Sequence, residues 1–232
     1  MTKPTRPGTP PTRPGRSVTW PRRRRAGHMR FYTDHILPRA TDVIMARKEF
    51  GPIRARVAAG LDGEVLEVGF GSGLNIAYYP QAVRRVRAVD PATLGRKLAA
   101  RRLAAAPVPV EFAGLDGQHL PVDSGSVDHV LATWTLCTIP QPERALAEIY
   151  RVLRPGGGFH FAEHGRSPDP KVARRQDRLT PIQRRLVGGC HLNRPIQALI
   201  EASGLELAKI DNYYLEGPKA FGYMYEGVAA KP

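Results

Sequence analysis

Cysteine is scarce in this chain: Cys137 and Cys190 are the two present in 232 residues. One pair makes no disulfide framework and has no metal-ligand spacing, so no metal site is expected and the setting reads as reducing and cytoplasmic. Long apolar runs are also missing. No stretch approaches the roughly 18 residues of a spanning helix, and no apolar segment follows the N-terminal arginines as a secretory signal requires. Residues 1–30 hold no acid, against nine Lys or Arg, six prolines and three glycines. Such a stretch cannot bury enough apolar surface to offset its chain entropy, so a disordered basic tail is expected over 1–30. With those nine charges set apart, the formal +14 falls to 14 − 9 = +5. The remainder is mildly basic and demands no nucleic-acid partner; no specific nucleic acid is expected. The run Arg22–Arg25 leaves room for peripheral contact with an anionic membrane.

What is present from residue 31 onward is an alternation of two periodicities. FYTDHILPRATDVIMARKEF (31–50) has apolar residues near helical spacing, and Pro52 suits the first turn of a second helix over 52–59. EVLEV (64–68) reads as a buried strand, and a short helix after it is stopped by Pro80. Further strands are expected within 83–90, 108–114, 126–134 and 158–164, with helices over 94–105 and 142–153. The second of these presents Ala145, Ile149, Val152 and Leu153 on one side, and Arg154-Pro155-Gly156-Gly157 breaks it. The rhythm is interrupted by 167–191, which is longer than an ordinary strand-to-helix connection. It resumes with a helix over 193–203, a strand over 205–214 and an apolar run over 221–229. Strands alternating with helices imply an α/β domain, a mostly parallel sheet covered on both faces, spanning 31–232.

The chemistry is concentrated where the strands end. In EVLEVGFGSG (64–73), Gly69, Gly71 and Gly73 permit positive φ and close approach of a ligand to bare backbone. A nicotinamide fingerprint needs glycine at 74, where the chain has Leu74. The spacing G-x-G-x-G, with Glu67 two residues ahead, suits a cofactor carrying an amino acid and a ribose without a pyrophosphate; a plain tight turn fits it too. Asp90 ends the second strand, where a carboxylate can accept from both ribose hydroxyls, or can cap the helix after Pro91. Asp116 follows the third strand. It can accept from an adenine amine while the N–H of Gly117 or Gln118 meets a ring nitrogen, or it can simply make an Asp-Gly turn.

The succession EVLEVGFGSG, VRAVD, LDGQHLP and SVDHVLATWTLCTIPQPERALAEIYRVLRPGG resembles the class I S-adenosyl-L-methionine-dependent methyltransferases over about residues 50–165. That resemblance implies a Rossmann-like seven-stranded sheet of order 3-2-1-4-5-7-6, with the last strand antiparallel and S-adenosyl-L-methionine as cofactor. It places Glu67, Gly69, Gly71 and Gly73 at the methionyl and ribose part, Asp90 at the ribose and Asp116 at the adenine. The backbone around Thr133 faces the methionyl amine. LEVGFGSGLNIAYYP, TLCTIPQPERALAEIYRVLRPGGGFHFAEH and GGCHLNRPIQALIEASG are similar to the branch that includes thiol S-methyltransferases. Bacterial phospholipid N-methyltransferases share much of the first two stretches.

Methyl transfer from a sulfonium asks the protein mainly to align the reactants and dry the site. A thiol, with a pKa of about 8.5, needs little help from a base. His164, ending the fifth strand, is the candidate base because its ordinary pKa lies near working pH; a structural, hydrogen-bonded histidine fits the position equally. Trp134, Cys137, Cys190 and His191 are candidates for the wall of a pocket for a small, fairly apolar acceptor. Within the insertion, or lid, of 167–191, Val172, Leu179, Ile182 and Leu186 fall on one helical face opposite several arginines. Pro181 argues for two shorter helices there.

Overall fold

A computed structural model describes residues 32–232; the tail expected over 1–30 lies outside them. After a π-helical turn at Tyr32–Ile36, the chain forms α1 (Leu37–Met45) and α2 (Gly51–Ala58), with Pro38 and Pro52 in their first turns, where a missing N–H costs nothing. The sheet strands are β1 (Gly63–Val68), β2 (Val83–Val89), β3 (Val110–Gly114), β4 (Val127–Thr133), β5 (Leu153–His164), β6 (Glu206–Tyr214) and β7 (Tyr223–Ala230). Their order is β3-β2-β1-β4-β5-β7-β6. The first five are parallel and β7 runs antiparallel to both of its neighbours. The remaining helices are α3 (Thr93–Ala104), α4 (Pro142–Val152), α5 (Pro170–Leu186) and α6 (Ile196–Ala202).

The period-2 alternation of the strands decides which face each side chain joins. From β1, Leu66 and Val68 enter a core with Val130, Phe159 and Phe161 that is closed by Ala145, Leu146 and Ile149 of α4 and Ile196 and Ile200 of α6. Val65 points the other way and packs with Ile53 and Val57 of α2. Glu67 shares that second face, so a carboxylate stands where the pattern otherwise supplies apolar residues.

Three local expectations differ from the structure. The segment before Pro80 is a short 3-10 turn, Ile76–Tyr78, rather than an α-helix. Arg154–Gly157 do end α4, yet they lie inside β5 as a bulge: the register with β4 shifts between Val127 and His129, and Gly156 N–H donates to the Lys231 carbonyl at 2.8 Å. Pro181 does not split the insertion; α5 runs unbroken through it. Its buried face is Val172, Ala173, Gln176 and Thr180, while Ile182 and Leu186 are more than half exposed. Gln176 can lie inward because both ends of its amide are satisfied, accepting from Ser167 N–H (2.9 Å) and donating to the Gly165 carbonyl (2.8 Å).

Candidate active site

The turn after β1 divides its glycines by task. Gly69 has φ +81° and Gly73 φ +74°. A Cβ on Gly69 would collide with the Thr135 hydroxyl, and one on Gly73 would fall 2.7 Å from Ile76 Cδ1. These two serve packing against the protein itself. Gly71, at φ +55°, has no protein atom nearer to such a Cβ than the Gly69 carbonyl oxygen at 4.0 Å. Its bare face belongs to the wall of a cavity of about 1400 Å³.

Asp90 holds this turn from the neighbouring strand end. One carboxylate oxygen accepts from Gly71 N–H and the other from Ala92 N–H, each at 2.7 Å. Burial raises its pKa, against these two hydrogen bonds, which favour the ionised form. Each oxygen keeps a further lone pair, and the residue lines the cavity. From the next strand end, Asp116 and Gly117 line it as well. Asp116 Oδ1 accepts from the Gln118 backbone N–H at 2.9 Å, which makes the Asp-Gly turn.

Glu67 lies apart from these residues and does not line the cavity. One of its oxygens accepts from Asn75 Nδ2 at 2.9 Å and the other from the Tyr79 hydroxyl. Complete burial pushes its pKa up to about 7 in spite of those bonds and of nearby Arg54. Asn75 passes the contact on. Its Oδ1 accepts from Arg54 Nη1 at 2.6 Å, and its Nδ2 reaches the Thr133 hydroxyl at 3.0 Å. Thr133 and Arg54 both line the cavity, and the Arg54 guanidinium lies 4.9 Å from the centre of the Trp134 ring. Trp134 itself sits at φ +51°, an uncommon conformation for a bulky residue, just where β4 ends at the cavity. Arg54 and Asn75 escaped sequence reasoning. A cation inside a short helix looks like a solvated one until the helix is docked.

His164 reaches the same cavity, together with Cys137, Cys190 and His191. His164 Nε2 lies 3.1 Å from Cys190 Sγ, and its Nδ1 is buried with no hydrogen-bond partner among the described residues. Burial works to lower the His164 pKa, but the Cys190 contact raises it overall. Burial pushes the Cys137 thiol up, while the Cys137 and His164 contacts pull Cys190 down. The Cys137 loop is fixed by Glu163, another residue that sequence reasoning passed over. This fully buried carboxylate accepts from the N–H groups of Thr135, Leu136 and Cys137 at 2.7, 2.9 and 3.2 Å. Cys190 is returned to that loop by two glycines after α5, at φ +54° and +96°, where Gly189 N–H caps the Arg184 carbonyl at 3.0 Å.

The open face of Gly71, the Asp90 carboxylate beside it and a cavity larger than a typical small-molecule site fit an adenosyl cofactor with space left for an acceptor. This strand order, with those groups at the carboxyl ends of β1 and β2, defines the class I S-adenosyl-L-methionine-dependent methyltransferase fold.

Comparison with known proteins agrees. The family described as "Methyltransferase domain" matches residues 66–161. The thiol S-methyltransferase TMT1A of Homo sapiens is 33% identical over 184 residues, covering 71% of this chain and 72% of that protein. The phosphatidylethanolamine N-methyltransferase of Cereibacter sphaeroides is 32% identical over 123 residues, covering 48% of this chain and 57% of that one. Among solved structures, a putative methyltransferase of Haloferax volcanii, in complex with the Trm112 activator, superimposes with a TM-score of 0.65 at 17% identity. It covers 88% of this chain and 97% of that one, a likeness of fold. The chain belongs to the class I S-adenosyl-L-methionine-dependent methyltransferases, close to their thiol S-methyltransferase branch. It is an enzyme that transfers a methyl group from S-adenosyl-L-methionine to a small-molecule acceptor.

Proposed function

We propose that the acceptor is a small, fairly apolar thiol. The observation that carries this reading is one cavity shared by Gly71, Asp90 and Asp116 on one part of its wall and by Trp134, Met45, Phe221 and Met224 on another. The 33% identity to a thiol S-methyltransferase supports sulfur as the atom methylated. When bound, the cofactor supplies a methyl group already activated on a sulfonium. The chain's own part is to bind, orient and exclude water. Asp90 offers its remaining lone pairs to the ribose hydroxyls, and Asp116 with Gly117 flanks the adenine. Arg54, held by Asn75 and by the Thr133 hydroxyl at 3.2 Å, presents a cation to the carboxylate of the amino-acid end. Glu67 acts through Asn75, orienting it toward Arg54 and Thr133 rather than touching the cofactor.

Incubating the protein with S-adenosyl-L-methionine and a panel of aryl and alkyl thiols, phenols, amines and quinols tests the acceptor atom. Methyl sulfides are expected by mass spectrometry. Methylated amines or quinols without any sulfide would refute the thiol reading.

An apolar rim with flanking cations supports delivery from an anionic membrane surface. Val43, Ile44, Leu186 and Val187 are exposed, and Arg184 and Arg185 line the cavity near them. No helix among the described residues is long and apolar enough to cross a membrane; the contact proposed for this rim is a peripheral one. Sedimentation with anionic vesicles is expected to carry the protein down, and Ile44→Asp with Leu186→Asp to release it; equal sedimentation of the variant would refute the contact. The two free thiols fit a reducing, cytoplasmic setting.

A further inference from the structure

Three buried side chains far apart in sequence, Cys137, His164 and Cys190, bring two sulfurs and a ring nitrogen within 4.8 Å of one another. Tetrahedral zinc, with bonds of about 2.3 Å to sulfur and about 2.0 Å to nitrogen, requires donors roughly 3.5–3.8 Å apart. The His164–Cys190 separation of 3.1 Å and the 4.8 Å limit bracket that range, so side-chain adjustments of about an ångström complete the geometry. Each ligand is carried by a fixed element: a loop tied to Glu163, the end of β5, and the two-glycine turn after α5.

The donor set is soft, which selects zinc over magnesium or calcium. Glu163 stands outside this donor cluster, its carboxylate engaged by three backbone N–H groups. Arg194, bonded to the Leu136 carbonyl, brings a cation that offsets the Glu163 charge. Two thiolates then balance a divalent ion. All three ligands line the cavity.

We propose that Cys137, His164 and Cys190 form a zinc site whose fourth position opens into the active-site cavity and takes the sulfur of the acceptor. On loading, both cysteine thiols release their protons to solvent, and the ion is held by two thiolates and the imidazole lone pair. An acceptor thiol displaces the remaining ligand and gives up its proton in the same way, so its sulfur is held as a thiolate with no basic side chain required. His164 is thereby a ligand in place of the base expected from its position. The fourth-ligand part rests on the thiol reading; the three-ligand metal site does not.

The test is titration of the full, reduced, metal-stripped chain with Co²⁺ alone. One equivalent is expected to give a thiolate-to-cobalt charge-transfer band and the intense visible bands of a tetrahedral ion. Loss of an outer-shell group alone costs roughly 10–100-fold in metal affinity. Cys190→Ser and His164→Asn, each checked for an unchanged fold by circular dichroism, are therefore expected to weaken Co²⁺ binding more than about 100-fold. Wild-type protein without the charge-transfer band, or folded variants that retain it, would overturn the site. Adding a small aryl thiol to the Co²⁺ protein is expected to shift the visible bands, and an unchanged spectrum would overturn the fourth-ligand assignment. A shifted spectrum with no methyl sulfide formed would refute the thiol-methylation reading while leaving the metal site standing.

Discussion

Replacing Gly71 by alanine separates the cofactor seat from the fold that carries it. At φ +55° the new side chain occupies the left-handed region, which costs an L-residue about 1–2 kcal/mol. Beyond its chain neighbours, the added methyl meets nothing nearer than the Gly69 carbonyl oxygen at 4.0 Å, so it is not crowded. Each kcal/mol moves the melting temperature of a domain this size by about 2–4 °C, so Gly71→Ala is expected to lower Tm by about 2–8 °C. The same methyl projects where an adenosyl ligand must approach the backbone. Overfilling a fitted space typically costs about 1–3 kcal/mol, which weakens Kd by about 5- to 150-fold. Gly69→Ala is the contrast, since its methyl would also meet Thr135 Cγ2 at 2.6 Å and Cβ at 2.8 Å, and the fold itself must move. Calorimetric titration with S-adenosylhomocysteine, beside melts without ligand, reads both quantities. Wild-type affinity in a folded Gly71→Ala protein would refute the seat, and a Gly71→Ala melt as low as that of Gly69→Ala would refute the division of tasks.

Asp90→Asn keeps the shape but replaces one of two carboxylate acceptors, those of Gly71 and Ala92 N–H, by a donor. Losing a hydrogen bond to a charged group costs about 1.5–3 kcal/mol, so cofactor affinity is expected to fall by about 10- to 150-fold in the same titration; an unchanged Kd removes Asp90 from the site. Glu67 predicts a pH signature. Its carboxyl is raised from 4.5 to about 7 by burial, with Asn75, Tyr79 and Arg54 working against the shift and Asp90 with it. The folded protein therefore holds a proton that the unfolded chain has released. The contribution to stability is full below pH 4.5, is lost as pH rises toward 7, and is level above. The difference amounts to about 3 kcal/mol, so urea unfolding across that window is expected to show a fall in wild type that Glu67→Gln lacks. Parallel profiles would refute it.

The sequence alone determined what depends on neighbours along the chain. Strand and helix periods, prolines at helix starts and glycines at the turn after β1 are local constraints on φ and on side-chain direction, so the sheet and its Gly71–Asp90–Asp116 edge were legible before any coordinates. The same local logic failed at Ile182 and Leu186, whose spacing matched a buried face. Burial there depends on what the helix meets, and the face of α5 that is covered carries Val172, Gln176 and Thr180. Glu67 stood in the right motif, but its carboxylate closes on Asn75 and Tyr79, a choice made by rotamers and by the docking of the turn beyond it. Only the tertiary structure could carry Arg54 from a short helix to the cavity, or bring Cys137, His164 and Cys190 together. Chain separation holds no record of distance once a parallel sheet lines up the ends of strands that are remote in sequence.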